Sequence, residues 1–180
     1  ITHATRGGVD VISMSLGGYG YSSLVDSACT YAWNNGVLLV AAAGNDNLNI
    51  DVNKFYPACY STVIAVSATD SNDRKASFSN YGNKIEVAAP GVNVYSTMPG
   101  NSYGSLSGTS MSTPHVSGVA ALTLSFNTSL TNKELRERLH KAVDDLGSPG
   151  KDIYFGYGRI NAFKGLVPPA PVGIEHTYTF

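Results

Sequence analysis

The sequence predicts an α/β fold in three layers, with a mostly parallel central sheet between helices. Three observations carry this. The run "VDVISMSLGG" at 9–18 is β-branched and alternating and closes on a Gly pair. "SLVDSACTYAWNNG" at 23–36 places Leu24, Ala28, Tyr31 and Ala32 on a helical period and ends at Gly36, a C-cap position. "VLLVAAAGN" at 37–45 is apolar almost throughout, as a strand buried on both faces should be. Strand, helix and strand in so short a stretch form a βαβ unit, which favours parallel pairing with helices on the faces.

The later elements follow in order. Residues 46–62 are polar and loop-like, and "TVIAVSAT" after them reads as another short strand. "KIEVAAPG" at 84–91 and "NVYSTMPG" at 93–100 read as strands stopped by Pro-Gly. "TPHVSGVAALTLSF" has helical composition. "TNKELRERLHKAVDDLG" at 131–147 reads as a second amphipathic helix, with Thr131 and Glu134 in capping-box spacing and Gly147 as its stop. Residues 1–166 form one unit, and 167–180 read as a Pro-rich tail or linker.

Composition excludes several roles. With 43% hydrophobic and 14% charged residues, the chain can bury a full core. Twelve basic residues against thirteen acidic ones, with no Lys/Arg cluster, argue against a nucleic-acid partner. No apolar run approaches the roughly 20 residues a membrane span needs. The chain starts at Ile1, and "ITHATRGG" has neither a charged nor an apolar leader region, so it reads as an internal portion of a longer protein. Two cysteines, Cys29 and Cys59, fit one disulfide or two buried thiols.

Ser110 follows Gly108-Thr109 just ahead of an expected helix, where Pro114 would be tolerated in the first turn. Two readings fit that position. As an N-cap the serine would satisfy an orphan N–H and contribute about 1 kcal/mol. As a nucleophile it would stand at the positive end of the helix dipole, with its own N–H free to face a developing oxyanion. Asn45 ends a buried strand, and Gly44 lets the chain turn there, at the carboxyl edge where open parallel sheets bind ligands. Ser15-Leu16-Gly17 should open at the same edge.

Six blocks, "ISMSLGG", "LLVAAAGN", "FYPACYSTVIAVSATD", "FSNYG", "VAAPGVNVYST" and "GTSMSTPHVSGVAAL", with "GYGRINA" near the end, resemble subtilisin-like serine proteases in order and spacing. The likeness runs from about residue 1 to 166. It implies a secreted serine endopeptidase acting through an acyl-enzyme. Ser110 would be the nucleophile, Asn45 and the Ser110 N–H the oxyanion hole, and Thr109 its support. Ser15, Leu16 and Gly17 would pair with a polypeptide substrate as an added strand. Ala42, Ala43 and Gly44 would line the pocket for the side chain before the scissile bond, with Phe55 near its floor. Met111 would make the enzyme oxidation-sensitive, and His115 would be structural rather than the base.

The resemblance also implies a cis Tyr56–Pro57 peptide, a calcium ion on the carbonyls of Ala58, Tyr60 and Val63 with Glu86 nearby, and an inhibitory propeptide. The family's Asp and His blocks, D-[ST]-G and H-G-T-H, are absent; His3, His115, His140 and His176 all lie in other contexts. The expectation is therefore the carboxyl-terminal portion of a catalytic domain, its base and acid in an amino-terminal part of the same domain. The rival is a catalytically dead relative serving as a peptide-binding module.

Overall fold

A computed structural model describes residues 1–167. The expected tail beyond Val167, His176 included, lies outside the described residues. The elements run α1 (Thr2–Arg6), β1 (Val11–Met14), α2 (Ser23–Asn34), β2 (Leu38–Ala42), β3 (Val63–Thr69), β4 (Ile85–Pro90), β5 (Val94–Met98) and β6 (Ser102–Leu106). They continue with α3 (Thr109–Phe126), α4 (Asn132–Lys141), β7 (Val143–Asp144), β8 (Arg159–Ile160) and α5 (Ala162–Leu166).

The main sheet has the order β1-β2-β3-β4-β8-β7, parallel except for β7, which pairs antiparallel with β8. Alternation along β2 divides the core. Leu39 and Ala41 face a cluster with Cys29 and Ala32 of α2, while Leu38 and Val40 face Val116 and Ala120 of α3 and Leu135 and Leu139 of α4. Two apolar layers on one sheet give the expected three-layer arrangement.

Two boundaries differ from expectation, and one expected strand lies outside the main sheet. The helix expected to reach Gly147 ends at Lys141, because Val143 and Asp144 pair with Ile160 and Arg159. A ladder contact from a distant segment overrides the local helical period. "NVYSTMPG" does form a strand, but in a separate antiparallel hairpin, β5 with β6. Finally, α3 starts at Thr109, with Gly108 at its cap and no side-chain capping bond, so Ser110 lies inside the first turn and is not the cap.

Candidate active site

Strands β1 and β2 are paired in parallel through Met14 and Ala41, so the segments after them, Ser15–Gly17 and Ala43–Asn45, leave the sheet at one edge. The N-terminus of α3 reaches the same edge. Gly108 N–H donates to Gly91 O at 2.8 Å, anchoring the turn into the helix.

Asn45 is exposed, yet its amide orientation is fixed. Its Oδ1 accepts from Thr109 N–H at 2.8 Å and from the Thr109 hydroxyl at 2.9 Å, while Thr109 Oγ1 accepts from Gly44 N–H at 3.1 Å. Thr109 is wholly buried, so these bonds are shielded from water. With the carbonyl end occupied, the Nδ2 hydrogens turn outward. A carbon at the missing Cβ of Gly108 would lie 3.5 Å from Asn45 Nδ2 and 3.7 Å from Ser110 N, so both donors border one small space.

Pro114 is the sixth residue of α3, beyond the first turn where it was expected to be harmless. Lacking an N–H, it leaves the Ser110 carbonyl without its helical partner. The Ser15 hydroxyl supplies one, donating to Ser110 O at 2.8 Å. Ser110 Oγ in turn lies 3.4 Å from Ser15 O. Among the described residues no imidazole or carboxylate hydrogen-bonds to Ser110 Oγ. His115 Nδ1 instead meets Met111 O at 2.8 Å, one turn back along its own helix. A groove of about 420 Å3 opens beside Ser110 and is walled by Met111, Pro114 and His115 together with the β5–β6 hairpin.

Ala42, Ala43 and Gly44 are buried. The Phe55 ring reaches across to both Gly17 and Gly44. Asn80 was not singled out from the sequence, yet it organises this loop. Its Oδ1 accepts from Asp46 N–H and Leu48 N–H, and its Nδ2 donates to Ala43 O at 2.9 Å. These contacts span more than thirty residues, so no local periodicity marks them.

The model of the subtilase family matches residues 1–158. The chain belongs to the subtilase family. It is 49% identical over 166 residues to "Thermitase" of Thermoactinomyces vulgaris, covering 92% of this chain and 57% of that protein. It is likewise 49% identical over 162 residues to "Subtilisin DY" of Bacillus licheniformis, covering 89% and 58%. The subtilase architecture extends to a solved lanthipeptide protease, with TM-score 0.83, 27% identity, and 91% and 62% of the two chains covered. The chain thus spans less than two thirds of the length of these relatives.

The residues expected to hold calcium in this subtilase do not fit a divalent cation. Val63 O accepts from Lys84 Nζ at 3.0 Å and Arg136 Nη2 at 3.4 Å, and Ser61 O accepts from Arg136 Nη1 at 3.0 Å. Buried Glu86 accepts from Arg136 Nε (2.8 Å) and Nη2 (2.5 Å) and from Lys84 Nζ (3.1 Å), and His140 Nε2 stands 2.9 Å away. Two fixed positive groups already occupy Val63 O and the Glu86 carboxylate, two of the four expected ligands. Burial alone would raise the Glu86 carboxyl, but the hydrogen bonds from His140 and Arg136 and the charges of Lys84 and Arg136 hold it well below the usual range.

The Tyr56–Pro57 peptide is cis, as the resemblance implied. Cys29 and Cys59 are both free thiols packed in the α2-side core. Burial pushes the Cys29 thiol up to about 11. Two thiols should therefore titrate in denaturant without reductant, and Cys29 should react slowly in the native protein. Recovery of no thiol until reductant is added would show a bridge.

Proposed function

We propose that this chain is the carboxyl-terminal portion of a secreted subtilase endopeptidase domain, with Ser110 as nucleophile and polypeptide as substrate. The observation that carries the reading is the Asn45 amide, turned outward by Thr109 to face the same space as the Ser110 N–H. Donors held this way stabilise charge that exists only in the transition state.

In the proposed reaction, substrate lies along Ser15–Gly17 as an extra strand. Ser110 Oγ bonds to the scissile carbonyl carbon as its proton passes to a general base. The new oxyanion accepts hydrogen bonds from Asn45 Nδ2 and Ser110 N. Collapse breaks the C–N bond, the base returns its proton to the leaving amine, and water then releases the acyl group by the reverse pattern.

The base and its orienting carboxylate belong, in this proposal, to an amino-terminal part of the same domain. The uncovered side of the fold supports this. Among the described residues strand β1 has a neighbour on one side only, and the outward positions of α3 include Pro114, Gly118, Ala121 and Leu122, small or apolar residues that are exposed. A helix with no charged residue and with small or apolar residues on its outward side suits an enclosed position. An inhibitory propeptide would complete the parent protein. No calcium is assigned to the Glu86 corner, where Lys84 and Arg136 provide the positive charge.

The test is cleavage of an unstructured polypeptide by the full-length protein, with and without Ser110→Ala. Cleavage abolished by the substitution is expected, together with negligible cleavage by residues 1–180 alone. A full-length protein that binds peptide but never cleaves it would be the interaction module instead. Robust cleavage by 1–180 alone would reveal a different base.

A further inference from the structure

The geometry points to Phe55 as a plug that restricts this protease to substrates with a small residue, Gly, Ala or Ser, before the scissile bond. The inference rests on the proposed function and deepens it by naming the substrate class.

The walls assigned to that side chain are Ser15–Gly17 on one side and Ala42–Gly44 on the other. Gly17 and Gly44 offer no side chain to the gap between them, and one ring fills it. A Cβ on Gly17 would lie 2.3 Å from Phe55 Cε1 and 2.9 Å from Cζ. A Cβ on Gly44 would lie 3.2 Å from Phe55 Cδ2 and Cε2. The two edges of the ring therefore touch opposite walls, leaving no width for a second ring or a long side chain.

The plug is also fixed in place. Residue 56 is tied to the first wall by a reciprocal pair of bonds, Gly18 N–H to Tyr56 O at 2.8 Å and Tyr56 N–H to Gly18 O at 2.7 Å. Tyr19 packs edge-on against the Phe55 ring, with centroids 5.0 Å apart and planes at 74°. Its hydroxyl donates to Asp46 Oδ2 at 2.5 Å and accepts from Asn80 Nδ2 at 3.3 Å, and so clips the ring's neighbour to the second wall. A ring braced by both walls and by Tyr19 cannot swing aside without breaking these contacts, so a bulky side chain meets it as a fixed obstacle.

The experiment compares peptide substrates that differ only in Ala or Phe before the scissile bond, using the full-length protein and its Phe55→Gly variant. A fluorophosphonate that labels activated serines reports Ser110 independently. For the wild type, kcat/KM should favour Ala over Phe by about 10–100-fold. Phe55→Gly should raise the value for the Phe substrate at least about tenfold and remove or invert the preference. Should the variant fail to fold, the wild-type ratio decides alone. A labelled wild type that cleaves the Phe substrate as well as the Ala substrate overturns the plug and leaves the protease reading standing. Absence of both labelling and cleavage overturns the protease reading, and the plug with it.

Discussion

Replacing Arg136 with alanine will destabilise the full-length protein by about 3 kcal/mol, because removing one partner of a buried ion pair leaves the other charge uncompensated. Glu86 is 5% exposed, and its carboxylate takes two bonds from the Arg136 fork. Lys84 does not make good the loss. Burial lowers its own ammonium, against the opposing pull of Glu86, so its charge is held at some cost. Lysine at position 136 should recover less than half of the stability, since it has neither the fork nor the guanidinium that lies 5.4 Å from the Trp33 ring centre.

The pH dependence has a definite sign. The folded Glu86 carboxyl lies below its ordinary value of 4.5, so its stabilisation is fully present above that value and is lost as pH falls through the folded one. The gap in Tm between wild type and Arg136→Ala should therefore hold steady from about pH 7 to pH 5 and narrow only in stronger acid. Thermal melts across that range check it. A gap that closed well above about pH 5 would show that the stabilisation does not come from the Glu86 carboxylate.

How much of this was legible in the sequence follows from the range of the interactions. Strands β2 and β3 are buried at every position and were visible as apolar runs. The α4 start was visible too: Thr131 and Glu134 form the capping box in full. The two-residue strands β7 and β8 exist only because distant segments meet, and nothing local could mark them. The exposed polar strand β6 gave no apolar pattern to read.

The site divides in the same way. Ser110 and Asn45 stand in dense local motifs, and Thr109 was named beside them as support. The bond from Ser15 to the Ser110 carbonyl and those from Asn80 to the loop after β2 join residues far apart in sequence and left no local sign. Glu86 was named for a metal because the loop of Ala58, Tyr60 and Val63 near it resembles a cation site, while Lys84 and Arg136 reveal their role only once β4 and α4 are packed together. What a motif conveys is which side chains are present; which partner each one faces is a property of the assembled sheet.

Replacing Asn45 with aspartate will separate the two roles of that residue in a way that alanine does not. Aspartate keeps an oxygen to accept from Thr109 N and Oγ1, now 2.8 and 2.9 Å away, and so preserves the start of α3. It lacks the amide donor and sets a negative charge beside the oxyanion of the proposed reaction. In the full-length protein kcat should fall by at least about 10²–10³, the loss known in this family for removing one such donor, with KM little changed because the bond matters only in the transition state. Alanine should reduce kcat similarly but should also leave the buried Thr109 donors unpaired, lowering stability by about 1–3 kcal/mol. Steady-state kinetics and thermal melts on the two variants read these effects apart. If Asn45→Asp retained its kcat, the outward amide would have no part in the reaction; if it lost Tm as fully as Asn45→Ala, the Thr109 contacts would not be what holds the loop. A fall in kcat with Tm preserved would tie the chemistry to the Nδ2 end of the amide and the folding to its Oδ1 end.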